Sequence, residues 1–332
     1  MNTTLIIVGA TVILAFGCDF INGFHDTANA IATAVSTKAL KPRTAILIAS
    51  LMNFIGAIAF TGVAEAITKD IVNVGALSKG PIVIIIALIS AIIWNLITWY
   101  YGIPSSSSHA LIGSMAGAAF AAEGSGCINF SGFINIILGL ILSPILAFGV
   151  GYIVFTILKT IFKNFNLFGT NKRFRHLQCI TAAIQSLSHG TNDAQKSMGI
   201  ITMSLISSGI IKPGYIPFWV QVGCAIAMAL GTSIGGWRII KTVGTQIMKI
   251  KPVNGVAADL SSALIIFTAT HLGFPVSTTH VISSSIMGVG TAYRPKAVKW
   301  ITAQRMIVTW FITLPISATI AALLYLFINM FI

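Results

Sequence analysis

Charged side chains are scarce in this sequence. Only 8% of its 332 residues are Asp, Glu, Lys or Arg, and just seven are acidic. A soluble domain is typically about one-quarter charged. Here 56% of the residues are hydrophobic, and the mean hydropathy is +0.92. A soluble protein of this length could not bury so much apolar surface, so lipid must cover it.

Cysteine is also scarce, and its spacing is informative. The four cysteines are scattered, without the CxxC pairs that are typical of metal and redox sites. They are Cys18, Cys127, Cys179 and Cys224. We interpret them as small buried apolar residues rather than metal ligands or disulfide partners.

The formal net charge of +13 does not indicate nucleic-acid binding. The basic residues cluster in short segments beside apolar runs, as in 159–175, 238–251 and 294–305. Such clusters follow the positive-inside rule and attract anionic lipid headgroups. We therefore expect a lipid bilayer as the partner of these segments, and no nucleic acid.

Apolar runs long enough to cross a membrane recur along the whole chain. About 20 helical residues cross a hydrocarbon core about 30 Å thick. The clearest runs are residues 4–21, 44–67, 81–101, 133–158, 218–237 and 301–332. The sequence therefore predicts an all-α polytopic protein that crosses the cell membrane several times.

Two polar strings interrupt this apolar background, and each occurs twice. The first reads FINGFHDTANA at 20–30 and returns as LSHGTNDAQKS at 187–197, with Gly-x-x-Asp in common. The second reads GIPSSSSH at 102–109 and returns as GFPVSTTH at 273–280. Two unrelated motifs that return in one order and at nearly one offset indicate a tandem duplication. The predicted parts are an N-terminal repeat (1–163), a basic connecting loop (164–176) and a C-terminal repeat (177–332).

The two motifs predict different interruptions of the helices. Gly-x-x-Asp inside an apolar run predicts a break, which is tolerated only when buried in protein or lining a water-filled cavity. Proline followed by Ser or Thr is typical of a helix start. Pro104 and Pro275 therefore predict helices that begin in the hydroxyl runs, within two re-entrant helical hairpins. Helix N-termini bind oxyanions readily, and paired interrupted segments indicate a transport site at the membrane midplane.

Four of the seven acids lie at membrane depth or next to it. A buried carboxylate is costly unless it is paired or protonated, so intramembrane acids are functional candidates. Asp26 and Asp193 are the repeated pair and the strongest candidates. For Asp19 and Asp259, a bond to a neighbouring helix end is an equally good interpretation.

Amide side chains and one lysine accompany the repeated acids. Asn29 and Asn192 cluster around them, and we place both in the same site, although amides also join membrane helices to one another. Lys196 either pairs with Asp193 or attracts an anion. His109 and His280 end the two hydroxyl runs, and we expect them to orient the hairpins.

At these residues the chain resembles the PiT family of inorganic phosphate transporters. The strings GFHDTANA (23–30) and GTNDA (190–194) are similar to the family's duplicated GANDVANA-type signature, and the two Pro-hydroxyl-His strings resemble its hairpin motifs. The resemblance covers essentially the whole chain. It implies an inverted-repeat fold, phosphate held between the halves, and cation-driven symport by alternating access. A homodimer, and phosphate carried as a metal complex, are further expectations from this resemblance.

The resemblance also implies which side chains line the site. Those expected to bind phosphate are Asp26, Asn29, Ser106, Ser107, Ser108, Asn192, Asp193, Ser277, Thr278 and Thr279. Candidates for binding the coupling ion are Asp19, Asn22, His25, Asp26, Asp193 and Asp259. No cofactor is expected. A carboxylate facing the anion can accept the proton of hydrogen phosphate, whereas it repels sulfate, which favours phosphate.

The chain departs from the family pattern at His25, where the first motif usually has Asn. Na⁺ prefers carboxylate, carbonyl and amide oxygens, and Asp26 and Asp193 could provide them. Imidazole is a poor Na⁺ ligand and titrates near neutral pH. We therefore expect protons rather than Na⁺ to drive uptake. The alternative is that His25 packs against a helix and the two aspartates bind Na⁺.

Three other functions compete with phosphate symport. A sulfate or other oxyanion permease of the same fold would be distinguished by sulfate competition. The second alternative is a channel or membrane receptor, and uphill accumulation of substrate would exclude a channel. An intramembrane hydrolase is disfavoured because each His in the hydroxyl strings directly follows a Ser or Thr, too close to act as an oriented base. We expect no enzymatic activity.

Overall fold

The computed structural model describes residues 3–72, 79–163 and 167–331. These residues are almost entirely helical. In chain order the helices are α1 (Thr3–Ser36), α2 (Pro42–Ala57), α3 (Gly62–Asp70), α4 (Gly80–Tyr101), α5 (Ser107–Glu123), α6 (Phe130–Ile161), α7 (Leu167–Ser207), α8 (Phe218–Ile234), α9 (Trp237–Lys241), α10 (Pro252–His271), α11 (Thr278–Tyr293) and α12 (Trp300–Asn329).

The same order of elements occurs twice, in α1–α6 and again in α7–α12. Each set begins with a long helix and continues with a bent pair, two helices joined by a short turn, and a long final helix. Both final helices contain an internal proline, Pro144 in α6 and Pro315 in α12. The sequence interval between these two prolines equals the interval between Pro104 and Pro275 of the hydroxyl motifs.

The breaks in the helices do not lie at the Gly-x-x-Asp motifs, so that prediction is wrong. Helices α1 and α7 run unbroken through both motifs. A Cβ on Gly23 would lie 2.3 Å from the carbonyl oxygen of Met228 in α8, and one on Gly190 would lie 2.4 Å from that of Asn53 in α2. The motif glycines therefore allow close helix packing instead of interrupting a helix. The bends of 65° lie between α2 and α3 and between α8 and α9.

The predicted connecting loop, 164–176, is helical where the structure describes it. Helix α7 begins at Leu167 and continues without a break to Ser207. Residues 164–166 lie outside the described residues. Lys172, Arg173 and Arg175 lie in the first turns of this helix, so the basic cluster marks a helix end rather than a loop.

Both hydroxyl motifs lie where a helix begins, as predicted. Helix α5 begins at Ser107 and α11 at Thr278. Each follows its preceding helix after a tight turn that contains a left-handed glycine, Gly102 (φ 64°) or Gly273 (φ 74°). Only glycine adopts this conformation at little cost. The pairs α4–α5 and α10–α11 therefore form two helical hairpins.

Among the described residues, five helices are long and apolar enough to cross a membrane, namely α1, α4, α6, α10 and α12, and seven segments qualify if each bent pair counts as one span. Large aliphatic and aromatic side chains are exposed on the outside, for example Ile13 (72%) and Phe311 (69%). These findings confirm a multi-pass membrane protein. Helix α7 is more polar because it packs against α1, α2, α3 and α10 in the interior.

Candidate functional site

The central site lies where α1 and α7 meet the tips of the two hairpins. On α1, Asp26 accepts hydrogen bonds from the hydroxyls that begin both hairpin helices. Ser107 of α5 donates to Oδ2 (2.5 Å), and Thr279 of α11 donates to Oδ1 (2.9 Å). Ser107 also lies 3.1 Å from Oδ1 of Asn22. One carboxylate thus joins the N-termini of two helices from different halves of the chain.

Asp193 of α7 occupies the equivalent position in the second half. Its Oδ2 accepts a hydrogen bond from Thr278 of α11 (2.7 Å), and its Oδ1 pairs with the ammonium group of Lys196. The offset that relates Pro104 to Pro275 also relates Ser107 to Thr278. The two aspartates are therefore held in the same way by the same position of their own hairpins.

Two further contacts cross between the halves. Asn29 of α1 donates to the hydroxyl of Thr279 on α11 (2.8 Å), and Lys196 of α7 donates to that of Ser108 on α5. Asn29 and Lys196 are equivalent positions of the repeat, as are Ser108 and Thr279. Ser108 also donates to the carbonyl of Val276 (3.1 Å), which joins the two hairpin tips.

The site is closed to solvent and contains two aspartates but only one lysine. Asp26 and Asp193 are each 1% exposed, and Lys196 is 3% exposed. Two carboxylates therefore share one lysine in a space without bulk water. The hydroxyl and amide oxygens around Asp26 are hard ligands that a small cation prefers, and the helix starts of α5 and α11 favour an anion.

The remaining predicted phosphate ligands contribute to the hairpins themselves. Ser106 and Ser277 are the N-caps of α5 and α11, where their hydroxyls accept from the amides of His109 and His280. Asn192 donates to Thr270 (3.0 Å) and to the carbonyl of Phe274, and it accepts from the amide of Val276. Its side chain thereby holds the turn between α10 and α11. A contact of these three residues with phosphate stays a prediction.

Comparison with known proteins identifies the family of this chain. The model of the phosphate transporter family matches residues 22–321. The chain belongs to this family. It is 64% identical over 331 residues to a probable low-affinity inorganic phosphate transporter of Bacillus subtilis, covering 99% of both chains, and 44% identical to one of Rhizobium meliloti, covering 98% of both.

A solved structure is similar along almost the whole length. The sodium-dependent phosphate transporter superposes with a TM-score of 0.87 at 26% identity, covering 98% of this chain and 100% of that one. The resemblance to phosphate transporters that the motifs carry is thereby confirmed, as is the expectation that the chain is a transporter rather than an enzyme.

Both motif histidines of this transporter lie against the repeated aspartates. Nδ1 of His25 lies 2.7 Å from Oδ1 of Asp26, and Nε2 lies 3.1 Å from the hydroxyl of Thr98 in α4. His189 places Nε2 3.1 Å from Oδ2 of Asp193, and its Nδ1 donates to Oδ1 of Asn53 (3.1 Å). His25 therefore does not point away from the site.

The other two acids lie on either side of the central site. Oδ1 of Asp19 on α1 accepts a hydrogen bond from Ser197 of α7 (2.6 Å). Asp259 of α10 accepts from Thr33 of α1 (2.7 Å) and from Thr181 of α7 (3.0 Å). Within the described part of the chain, neither carboxylate bonds to a helix end, which was the alternative interpretation of the sequence. Both join α1 to α7.

Sequence reasoning missed two polar residues that support the histidines. Asn53 binds His189 and also donates to Thr27 (2.9 Å), and Thr98 binds His25. Both are fully buried or nearly so within apolar helices. Each could have been found as a lone Asn or Thr in an apolar run, because a buried amide or hydroxyl needs a hydrogen-bond partner.

Proposed function

We propose that this chain carries inorganic phosphate across the membrane by cation-coupled symport, with protons as the main coupling ion. The observation that carries the proposal is the pair of buried aspartates, each held by a hydroxyl at a hairpin tip, with one buried lysine between the hairpins. Its relatives are named as inorganic phosphate transporters.

The charge of the site supports coupling to a cation. With both aspartates ionised and the two motif histidines neutral, the ammonium group of Lys196 neutralises only one aspartate and leaves one negative charge in a closed, buried space. A phosphate anion entering that space meets repulsion that no water screens. At least one further positive charge must enter with the anion, which is the physical requirement for symport.

The same carboxylates favour phosphate over sulfate. A carboxylate can accept the proton of hydrogen phosphate, whereas sulfate has no proton to donate at neutral pH. The hydroxyls of Ser107, Ser108, Thr278 and Thr279 provide donors at two helix N-termini. A sulfate permease is the alternative, and excess sulfate in the uptake assay separates the two.

Alternating access between inverted halves is the mechanism that the packing supports. The equivalent helices α1 and α7 run antiparallel, as the Asp19–Ser197 and Thr37–Gln178 contacts require. If the hairpins enter without crossing, each half has three crossings, and an odd number inverts the second half. Opening toward one side would then separate Thr279 from α1 while Ser108 keeps its contact with α7.

Proton coupling is favoured over Na⁺ by the His25–Asp26 contact. Nδ1 and Oδ1 are 2.7 Å apart, so one proton lies between them. Na⁺ is the competing ion, since a structurally similar transporter is sodium-dependent. The uptake assay therefore tests a Na⁺ gradient as well as a proton gradient.

Radiolabelled phosphate uptake into proteoliposomes tests these proposals. A proton gradient and a Na⁺ gradient are imposed one at a time. We expect accumulation against a phosphate gradient when the interior is alkaline, without Na⁺. A wild-type protein that is inert without Na⁺ at acidic pH contradicts proton coupling, and efficient competition by sulfate contradicts phosphate selectivity.

Substitution of the repeated acids tests the site itself. Asp26→Asn and Asp193→Asn should each abolish uptake while membrane insertion and expression stay normal, because each removes a charge that the cycle uses. Normal uptake by either variant at matched expression contradicts the assignment. His25→Asn restores the residue of the family signature and should shift the pH dependence of uptake or create a dependence on Na⁺.

A further inference from the structure

The acids at membrane depth lie in one line along the contact between α1 and α7. These helices run antiparallel. Ser197 of α7 donates to Asp19 in the first half of α1 (2.6 Å), and Thr37, just after the end of α1, donates to Gln178 in the first half of α7 (2.6 Å). As the residue number rises along α1, the number of the residue opposite it on α7 falls by the same amount.

The repeated acids occupy the middle of this line. The register of the two pairs places Asp193 of α7 level with Asn22 of α1, between Asp19 and Asp26. Three carboxylates, Asp19, Asp193 and Asp26, thus follow one another along the contact between α1 and α7.

Asp259 of α10 extends the line beyond Asp26. Its two carboxylate oxygens accept from Thr33 of α1 and Thr181 of α7. Positions 19, 26 and 33 of α1 are seven residues apart, which is about 10 Å per step at about 1.5 Å per residue. Seven residues make nearly two full turns, so the three positions share one face of the helix. The line covers about 20 Å of a hydrocarbon core about 30 Å thick.

Asp19 is buried, and only one of its two carboxylate oxygens is paired. It is 1% exposed; its Oδ1 accepts from Ser197 (2.6 Å), and its Oδ2 has no hydrogen-bond partner among the described residues. The charged groups that act on it are Asp193 and Lys196, and the thiols of Cys18 and Cys224 lie nearby. A buried carboxylate with one uncharged donor is costly when ionised, so a proton is the partner that fits it.

The Asp259 end of the line also has unsatisfied polar atoms. Asp259 is 2% exposed, and the side chains that bond to it are uncharged. The side-chain nitrogens of Gln178 and Gln185, on the same face of α7, have no partner among the described residues. Between Asp26 and this cluster, Oδ1 of Asn29 is likewise buried and unpaired within the described part of the chain. Buried polar atoms without partners are positions that ordered water fills, and water carries protons between acids.

We propose that Asp19 and Asp259 are the two terminal proton-transfer residues of the protein, one on each side of the central site. Each takes a proton from the nearer side of the membrane or releases one to it. Each exchanges that proton with the central pair through hydroxyl groups and water. One O–H bond breaks at the donor carboxyl for each one formed at the acceptor, and nothing is oxidised or reduced. This inference rests on the proton coupling proposed above.

Asp19→Asn and Asp259→Asn, reconstituted separately, test the inference through two modes of transport. The first mode is uptake driven by a proton gradient, and the second is exchange of labelled for unlabelled phosphate at equal concentrations. In exchange, the transporter changes sides only with phosphate bound, so it need not release its protons in each cycle. We expect gradient-driven uptake to fall about 100-fold, the lower end of what a positioned proton-transfer group contributes, while exchange stays within about twofold.

Ser261→Ala is the matched control. It removes a buried hydroxyl two residues from Asp259, one that donates to the backbone carbonyls of Ala257 (2.7 Å) and Ala258 (3.1 Å) and not toward the side chains of the line. Both modes should survive this change. Asp19→Glu and Asp259→Glu should restore gradient-driven uptake in part, which a role in hydrogen bonding alone does not predict. If Asp19→Asn does not reach the membrane, Asp19→Ser serves as the uncharged variant.

Three outcomes overturn the inference, and they differ in what else they overturn. If uptake and exchange fall together in the Asn variants, the two acids are structural or bind substrate. If neither mode changes, the acids carry no protons. If the wild-type protein exchanges phosphate but shows no uptake in a proton gradient, the proposed coupling ion fails and the relay fails with it. If the wild-type protein does not exchange phosphate at all, the proposed phosphate transport itself is contradicted.

Discussion

Replacing Lys196 by Met probes the charge balance of the candidate site. The lysine ammonium pairs with Asp193 and donates to Ser108 and to the carbonyl of Val276 (2.9 Å). All of these atoms are buried. Met keeps much of the length of the lysine side chain and removes only its charge and its three donors, so the packing of α7 changes little.

The expected loss of stability follows from the uncompensated carboxylate. Removing one partner of a buried ion pair typically costs about 3–5 kcal/mol, because the other charge remains without water. Asp193→Asn alone leaves Lys196 in the same position and should destabilise by a similar amount. The double variant buries no charge, so it should be more stable than the sum of the single effects predicts, by about 0.5–3 kcal/mol.

Denaturant titration of the purified protein in detergent measures this coupling. The four proteins of the cycle are compared at one pH, and phosphate uptake is measured on the same preparations. We expect recovered stability and no recovered uptake in the double variant, because the cycle needs the charges and the fold does not. Strictly additive single effects would refute the reasoning, since they would mean that Lys196 does not neutralise Asp193.

Two further predictions concern the hairpins. Gly117→Ala in α5 should prevent correct folding, because the added Cβ would lie 2.1 Å from the carbonyl oxygen of Ala318, whereas Gly149→Ala in α6 meets nothing within 4 Å and should be tolerated; size-exclusion profiles in detergent compare the two. Ser107→Ala and Thr278→Ala should each weaken apparent phosphate affinity by about 1 kcal/mol, close to fivefold, the scale of one lost hydrogen bond. Unchanged affinities in uptake assays would assign these hydroxyls to the hairpin structure alone.

The helix starts at the hairpin tips could be predicted because their signals are local. A glycine, a proline and a hydroxyl run follow one another within a few residues, and the N-caps Ser106 and Ser277 lie inside that run. The bond that a cap makes reaches only three residues along the chain. The helix start can therefore be predicted without knowing which distant part of the protein packs against it.

The Gly-x-x-Asp motifs could not be read correctly in the same way. A glycine in a helix either interrupts it or admits a neighbouring helix, and only the neighbour decides. Met228, which faces Gly23, belongs to the other half of the chain. Asn53 was missed for the same reason, since its partners His189 and Thr232 also lie in the second half. Residue types identify the polar side chains of the site, and the packing of α1, α2, α7 and α8 decides which of them meet.

The departure at His25 is better understood from its equivalent in the second half. Position 25 corresponds to Asn192, whose amide donates to Thr270 of the second hairpin (3.0 Å). His25 makes a similar contact: its Nε2 lies 3.1 Å from the hydroxyl of Thr98 in the first hairpin, one residue from the position equivalent to Thr270. The histidine therefore keeps the structural contact that the family's asparagine would make.

The second ring nitrogen of His25 is what asparagine lacks. Nδ1 of the ring lies 2.7 Å from Oδ1 of Asp26, and an approach this close requires a proton between the ring nitrogen and the carboxylate oxygen. An asparagine amide that reached Thr98 would have no second nitrogen for this contact. The substitution thus keeps a contact with the first hairpin and adds a proton position beside a carboxylate of the candidate site.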